Sequence, residues 1–465
     1  MTESNTRFIQ EAQTWAAQQW GAVRLGDKRL DRRVVEVGAR MAQRPAASVA
    51  QQMASWAQLK AAYGLLRHPK VSHARLSQPH WEATQAAMAQ AEVVLLVQDS
   101  SELDYTPYAQ TLAGLGPIGD GRGRGLLLHT MLAVLPQTQQ VLGLAQQQVW
   151  ARQPHPDPKQ RRQRHKAQRE SRVWGEMVQA VARPPAGAQW VVVADRGADQ
   201  RQVWQHCLAQ GVDWLLRVAQ NYRLVQPDGP AYLRDTARTW AARSHLVVEV
   251  PARPGRRARS ASLAVSWRQV SIRMPRGDAP VTMWVVRAWE HATPAEGEAI
   301  EWLLTTSVPV LSEADAVQRV TWYTLRWLVE EYHQCLKTGC AMEQRDLAHA
   351  ERIQRLLGFL ALVAVRLLQL RQEARLHPDA AALTLIDPLR VHLVAAHFHL
   401  AGESLSVRAF WRRVAQLGGF VGRRRDGEPG WQSLWRGWLH LDALVQGVRL
   451  AANWMPVTPP PQPGG

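Results

Sequence analysis

Cysteine is scarce in this chain of 465 residues: there are three, Cys207, Cys335 and Cys340. An odd number with no C-x-x-C spacing argues against a disulfide framework and a zinc module, and suits a reducing cytosol. Cys335 reads as ordinary helix filler. Acidic residues are the second deficit. The chain has 39 Asp and Glu against 56 Lys and Arg, a net charge of +17, so a polyanion is the natural partner. Long apolar runs are missing as well. The most apolar stretch, Leu356–Leu370, is too short to span a bilayer and contains Arg366, so it reads as a buried helix and no membrane partner is expected. The N-terminus shows no signal peptide, and the expected location is cytoplasmic. Gly114-Leu-Gly116-Pro-Ile-Gly119 matches G-x-G-x-x-G, but no helix follows it. A dinucleotide fold needs that helix, so the segment reads as a flexible loop near a polyanion or an active site.

What is present begins with positive charge. Residues 1–75 hold twelve Lys/Arg against five Asp/Glu, and Lys159–Arg169 concentrates more. Arg outnumbers Lys, which suits bidentate phosphate contacts. Two apolar runs, Val93–Val97 and Trp190–Ala194, read as buried strands. Asp99 and Asp195 stand at their carboxyl ends, where open α/β sheets build sites. Between the runs come extended segments Leu126–Leu135 and Val141–Trp150 and a helical stretch from about Gln160 to Ala182. After Asp195 come a helix near Asp199–Gln210 and a strand at Val212–Val218. The order β-β-β-α-β-α-β is that of a ribonuclease-H-like sheet. It brings the first and fourth strands together, so Asp99 and Asp195 become neighbours.

The stretch Tyr323–Lys337 reads Y-x2-R-x3-E-x6-K. On one continuous helix Tyr323, Arg326, Glu330 and Lys337 fall within an arc of roughly 60°, opposite Leu325, Leu328, Val329, Tyr332 and Leu336. Taken alone, this face reads as solvated, with an Arg326–Glu330 pair one turn apart. With two strand-end Asp residues ahead of it, it reads as one carboxylate that can join a metal site, flanked by cations that can hold a phosphate.

These residues resemble a bacterial cut-and-paste DDE transposase of the insertion-sequence family number four. Its members carry Asp, Asp and Glu in this order, with the Glu inside a Tyr-Arg-Glu-Lys signature. Leu-Gly-Asp27, Leu-Leu-Arg67-His-Pro-Lys-Val-Ser, Trp302-Leu-Leu-Thr-Thr-Ser, Val363-Ala-Val-Arg366-Leu-Leu-Gln-Leu-Arg371 and Leu417-Gly-Gly-Phe420 also look like the family pattern. Residues 372–408 match nothing in it. The resemblance implies that Asp99, Asp195 and Glu330 are catalytic and hold two Mg²⁺ ions, with Mn²⁺ as a substitute. It implies that Tyr323, Arg326, Lys337, Arg217 and Arg67 contact DNA. Trp302 would stack on a flipped base, with Trp327, the aromatic residue after the signature Arg, contributing to the same DNA contacts. The implied partners are double-stranded DNA, as inverted-repeat ends and as target, and a second copy of the chain in the DNA-bound complex. The implied place is the bacterial cytosol, at the nucleoid. The implied reaction is a nick, a hairpin, hairpin opening and joining of the 3′-OH to target DNA.

The expected fold class is α/β: a ribonuclease-H-like catalytic domain with a β-rich insertion, flanked by helical N-terminal and C-terminal domains. Residues 1–75 are expected to form a helical end-binding domain, with helices at Asp27–Ala42 and Ser55–His68 exposing Arg29, Arg32, Arg33, Arg40 and Arg67. Residues 76–375 form the catalytic domain, interrupted at about 222–300 by strands His245–Val250, Ser262–Val270 and Val281–Trp289, with Arg256–Arg259 at a turn. Residues 376–455 form a helical dimerisation domain with Trp431, Trp435 and Trp438 in a stripe that reads as core. Residues 456–465 form a Pro-rich disordered tail. Two other functions remain open at this point: a structure-selective metal-dependent nuclease, and a non-cutting DNA-binding regulator derived from a transposase.

Overall fold

The computed structural model describes residues 12–153, 170–225, 231–250, 259–274, 278–291, 298–423 and 428–454. The basic run Lys159–Arg169, most of the Arg256–Arg259 turn and the tail 456–465 lie outside the described residues. Two compact units emerge: residues 80–333 with 348–350, and residues 1–79 with 334–347 and 351–465. The first carries a mixed sheet; the second is helical.

In the sheet unit, β1 (Val93–Asp104) is followed by β2 (Gly116–Ile118), β3 (Gly123–Val134) and β4 (Val141–Trp150). Then come α6 (Val173–Ala180), β5 (Gln189–Ala194), α7 (Arg201–Gln210) and β6 (Asp213–Arg217). Gly211 ends α7 at φ 68°, a left-handed conformation that glycine adopts without strain. The apolar cores of β1 and β5 are buried on both faces, as parallel strands are. They do pair in parallel, with Gln98 opposite Ala194, and β5 runs parallel to β6. The expected adjacency of the first and fourth strands is met. One expectation is corrected: β1 does not stop at Asp99. It stays paired with β3 until Asp104 meets Gly125, so Asp99 lies mid-strand, opposite Thr130. Only the parallel part of β1 ends there.

The inserted strands do not form a separate sheet. They are β7 (Arg223–Leu224), β8 (Ala231–Tyr232), β9 (Ser244–Val250), β10 (Arg259–Ile272) and β11 (Val281–Glu290), with helix α8 (Leu233–Arg238) among them. Together with β12 (Glu301–Thr306) they extend one twelve-stranded sheet. Its order is β2-β3-β1-β5-β6-β12-β11-β10-β7-β8, with β4 also on β3 and β9 on β10. The G-x-G-x-x-G segment is also corrected, from flexible loop to edge strand. A Cβ at Gly116 would collide with the Arg152 backbone, so glycine there serves close backbone packing. The core gathers Leu96, Met131, Val192 and the indoles of Trp174, Trp190, Trp204 and Trp214.

The helical unit opens with α1 (Ala12–Trp20), α2 (Lys28–Gln43), α3 (Val49–Gln52), α4 (Trp56–Arg67) and the first part of α5 (His73–Met88). Asp27 caps α2 by accepting from the backbone of Arg29 and Leu30, and Ser55 caps α4 through Gln58. Both starts lie where the sequence puts them. Arg29, Arg32 and Arg67 are exposed, whereas Arg33 and Arg40 are half-buried. The long helix α11 (Ala350–Leu376) passes through this unit. By length and composition Ala350–Gln372 could cross a membrane, yet 78 % of its apolar window is buried in protein. Phe359 packs on Trp20 with ring centroids 5.4 Å apart, and Arg366 lies 4.9 Å over the Trp15 ring. That cation–π contact accommodates a charge in an apolar helix. Burial pushes the Arg366 pKa down to about 10. The unit closes with α12 (Ala382–Leu385), α13 (Pro388–His397), α14 (Val407–Leu417) and α15 (Trp431–Trp454). Trp435 and Trp438 are buried, and Trp438 stacks on Trp411 at 5.3 Å. These two tryptophans are core.

Candidate active site

Parallel register fixes the first two carboxylates. Gln98 and Ala194 are opposite one another, so the next residues, Asp99 and Asp195, emerge side by side. Asp195 Oδ1 accepts from the Gly197 backbone N–H at 2.8 Å and caps the short turn Arg196–Ala198. Asp99 Oδ1 accepts from the Ser100 N–H at 2.8 Å.

The third carboxylate arrives on a broken helix. The signature does not lie on one continuous α-helix, which corrects the expected single polar face. Helix α9 (Glu313–Thr324) ends at Thr324, and α10 (Trp327–Gln334) begins three residues later. At the break the Leu325 and Arg326 N–H groups donate to the carbonyls three residues back. Thr321 and Thr324 hydroxyls donate to the Val317 and Thr321 carbonyls, bonding that loosens a helix from within. After α10 the chain passes into a π-helical turn, Cys335–Gly339. Tyr323 is therefore the end of one helix, Arg326 the turn, Glu330 the first turn of the next, and Lys337 part of the π segment.

Three of these four residues belong to the sheet unit. Arg326 lies between two carboxylates: its Nη1 is 3.2 Å from Asp99 Oδ2, and its Nη2 forms a close ion pair with Glu330 Oε1. Burial pushes the Asp99 pKa up to about 6; Arg326 pulls it down, and the negative Asp195 and Glu330 push it up again. Burial lowers the Arg326 pKa, but Glu330, Tyr323 and Asp99 outweigh it and the net shift is upward. Among the described residues, no three His, Cys, Asp or Glu side chains gather tightly enough to hold a metal. Arg326 supplies the positive charge shared by Asp99 and Glu330. All three acids offer hard oxygen donors, which suits a hard divalent cation.

Tyr323 is buried rather than on a polar front, at 3 % exposure. Its ring meets Trp302 edge-on at 5.2 Å, and its hydroxyl hydrogen-bonds with Arg217. Trp302, on β12, and Trp327, at the start of α10, are both half-buried. Because α9 and α10 are separate, Trp327 does not share a helix face with Tyr323. Arg217 also donates to the Glu301 carbonyl at 3.2 Å. Lys337 belongs to the helical unit, where it pairs with Glu343 at 3.2 Å. Arg67, exposed at the end of α4, belongs to that unit too.

The sequence reading missed a buried polar clasp. Thr130, directly opposite Asp99 on β3, bonds His333 Nε2 at 3.1 Å and accepts from Gln147 Nε2 at 3.0 Å. Gln147 also donates to the Tyr332 hydroxyl at 2.8 Å. Tyr332 and His333 follow Glu330 by two and three residues, so the clasp ties Glu330's helix to the strands beside Asp99. Behind it, neutral His129 donates from Nε2 to Gln98 at 3.0 Å and accepts at Nδ1 from Ser100 at 2.7 Å. Burial holds its pKa down at about 3. The available signal was polar residues on strands otherwise buried on both faces.

Three family models match the chain. Residues 12–71 match transposase DNA-binding, residues 169–366 the transposase DDE domain, and residues 362–457 the transposase Tn5 dimerisation domain. The DDE match contains Asp195 and Glu330, and Asp99 precedes it. The stretch 372–408, which resembles nothing by eye, lies within the dimerisation match.

Proposed function

We propose that this chain, a DDE transposase by its transposase DDE domain, binds the inverted-repeat ends of its element and excises it by a nick, a hairpin and hairpin opening. It then joins the 3′-OH ends to target DNA, acting in the bacterial cytosol as a member of the insertion-sequence family number four. The DNA-binding and dimerisation matches support DNA and a second copy of the chain as partners. The observation that carries the site assignment is Asp99 beside Asp195 at the parallel strand pair, with Glu330 joined to Asp99 through Arg326. The strand order, antiparallel β1, β3 and β4 with β5 parallel to β1, supports a ribonuclease-H-like fold.

DDE domains work with divalent metals; here we take Mg²⁺, two per site, held by Asp99, Asp195 and Glu330. When bound, such ions supply Lewis acidity at the scissile phosphate and charge stabilisation for an in-line displacement. The chain's own groups do the rest. Arg326 neutralises Asp99 and Glu330 in the resting protein, and its guanidinium turns to a phosphate oxygen when DNA arrives. Tyr323 holds Arg217 and backs Trp302, while Trp302 receives an unstacked base and Trp327 contributes to the same DNA contacts; Lys337, in the helical unit, also contacts DNA. The buried clasp holds Glu330 in register with Asp99, so positioning is settled before substrate binds.

Asp99→Ala, Asp195→Ala and Glu330→Ala should each abolish Mg²⁺-dependent cleavage of end DNA while DNA binding persists. Glu331→Ala is the control and should retain activity. A Glu330→Ala protein that still cuts would sink the assignment. Joined products in a purified reaction separate transposition from a nuclease activity and from a non-cutting regulator.

A further inference from the structure

Beside Asp195 the sheet unit contains a second polar hollow, a cavity of about 110 Å³. Arg196, Arg217, Arg234, Arg238 and Arg287 line it, with Glu301 as the one acidic group. Three of these arginines come from the inserted segment: Arg234 and Arg238 from α8, Arg287 from β11. Glu301 accepts from Arg238 Nη2 at 2.9 Å and from Arg287 Nη2 at 3.0 Å. Arg287 is further fixed by the carbonyls of Ala237 at 3.3 Å and Arg238 at 3.2 Å. Arg196 is exposed, and its side chain makes no hydrogen bond or ion pair among the described residues. Burial, followed by the cations Arg196 and Arg326, lowers the Arg217 pKa, while Tyr323 opposes them. From outside the lining Asp235 acts on Arg238 and Asp199 on Arg234, and the five guanidinium groups still outnumber the three carboxylates. Guanidinium groups arranged as forks around such a space match the oxygens of a phosphate.

We infer that this hollow is a phosphodiester site for the DNA strand entering the catalytic centre, and that Glu301 is a placeholder that occupies the phosphate position until DNA displaces it. The inference rests on the reading of the chain as a DNA-cutting transposase. It gives the β-rich insertion a function: three of its arginines complete a wall whose other residues, Arg196 and Arg217, follow Asp195 and end β6. Bound phosphate would exchange with Glu301 for Arg238 and Arg287. The carboxylate therefore lowers the affinity of the resting site and keeps adventitious anions out.

The test is fluorescence anisotropy of the full chain on a labelled duplex carrying the element's terminal repeat, without divalent metal. Single methylphosphonates replace each phosphate within three nucleotides of the cut in turn. One position is expected at which the neutral linkage weakens wild-type binding roughly tenfold and lowers the salt slope by about one. The Arg196→Ala/Arg238→Ala protein should bind unmodified DNA with the same loss and show no further loss at that position. Both arginines are open side chains, so folding should survive, and circular dichroism checks it. Glu301→Gln should bind unmodified DNA several-fold more tightly than wild type. A strut that merely braced two arginines would give the opposite sign. Independent, multiplying effects at every position, or weaker binding by Glu301→Gln, would overturn the assignment. Because binding is read without metal, loss of cutting by the catalytic variants does not decide this result. A wild-type chain that fails to bind the duplex at all would bring down the DNA reading together with the pocket.

Discussion

Replacing Gln147 by Leu tests whether the buried clasp positions Glu330. Gln147 is 3 % exposed and donates to Thr130 and to Tyr332. Leucine fills similar volume and makes neither bond. Two lost hydrogen bonds in a buried place amount to about 2–3 kcal/mol. The midpoint of urea unfolding, followed by tryptophan fluorescence, should fall accordingly. The functional effect should be larger than the stability loss suggests. Tyr332 and His333 lie within one turn of Glu330, and a displacement of about 1 Å at a reacting centre lowers a rate by ~100-fold. Single-turnover nicking of end DNA should therefore slow by one to two orders of magnitude, with metal-free DNA binding unchanged. Tyr332→Phe removes the same bond from the other side. The double variant should lose about 1 kcal/mol less than the sum of the two, because one bond is shared. Full nicking by a destabilised Gln147→Leu protein would refute the positioning argument. An unchanged midpoint would refute the energetic one.

Three other outcomes follow from the same geometry. His80 is buried and accepts the Leu144 N–H at Nε2 with 3.0 Å, and burial depresses its pKa to about 4. The unfolded chain binds its proton below about 6.5, so its contribution is present above that pH and is lost as pH falls towards 4, by roughly 3 kcal/mol at most. His80→Gln should flatten the decline in melting temperature between pH 7 and 4.5; parallel declines would exclude His80 as the sensor. Trp302→Ala should slow hairpin formation more than the first nick, losing roughly 1–3 kcal/mol of base stacking. Equal slowing of both steps on a labelled-end time course would remove the flipped-base role. For assembly, a chain defective in end binding but catalytically intact, mixed with Asp195→Ala, should recover cleavage in trans. No recovery at any mixing ratio would count against paired subunits.

Local rules made much of this molecule legible. Asp27 and Ser55 cap helices because their side chains reach the free N–H groups of the first turn. Short runs apolar on both faces had to be interior parallel strands, which set Asp99 beside Asp195. The strands of the insertion were visible from alternation, but their union with the main sheet was not, since edge pairing leaves no local mark in composition. The extension of β1 beyond Asp99 was hidden for a similar reason: Ser100–Asp104 is polar apart from Leu103, and it is the antiparallel partner β3 that holds it in the sheet.

The signature was misread in shape because helical periodicity presumes an unbroken helix. Nothing in Tyr323–Lys337 is a proline or a glycine, so no residue announces a stop. The interruption depends on hydroxyl back-bonding at Thr321 and Thr324, together with packing of Tyr323 on Trp302. The packing of Tyr323 on Trp302 turns on tertiary surroundings. This break has a chemical consequence. On one continuous helix Arg326 and Glu330 would pair as a surface i, i+4 couple worth a few tenths of a kcal/mol. Placed in the turn, Arg326 reaches past its own helix to Asp99 and becomes the cation shared by two acids on different elements. Asp99 and Glu330, the acids that would hold a divalent ion, are the partners of Arg326 in the resting protein, so its guanidinium would be free for a phosphate only once they hold that ion. Metal entry and substrate charge would thus be coupled through one side chain, a coupling that a helix with all four signature residues on one face could not produce.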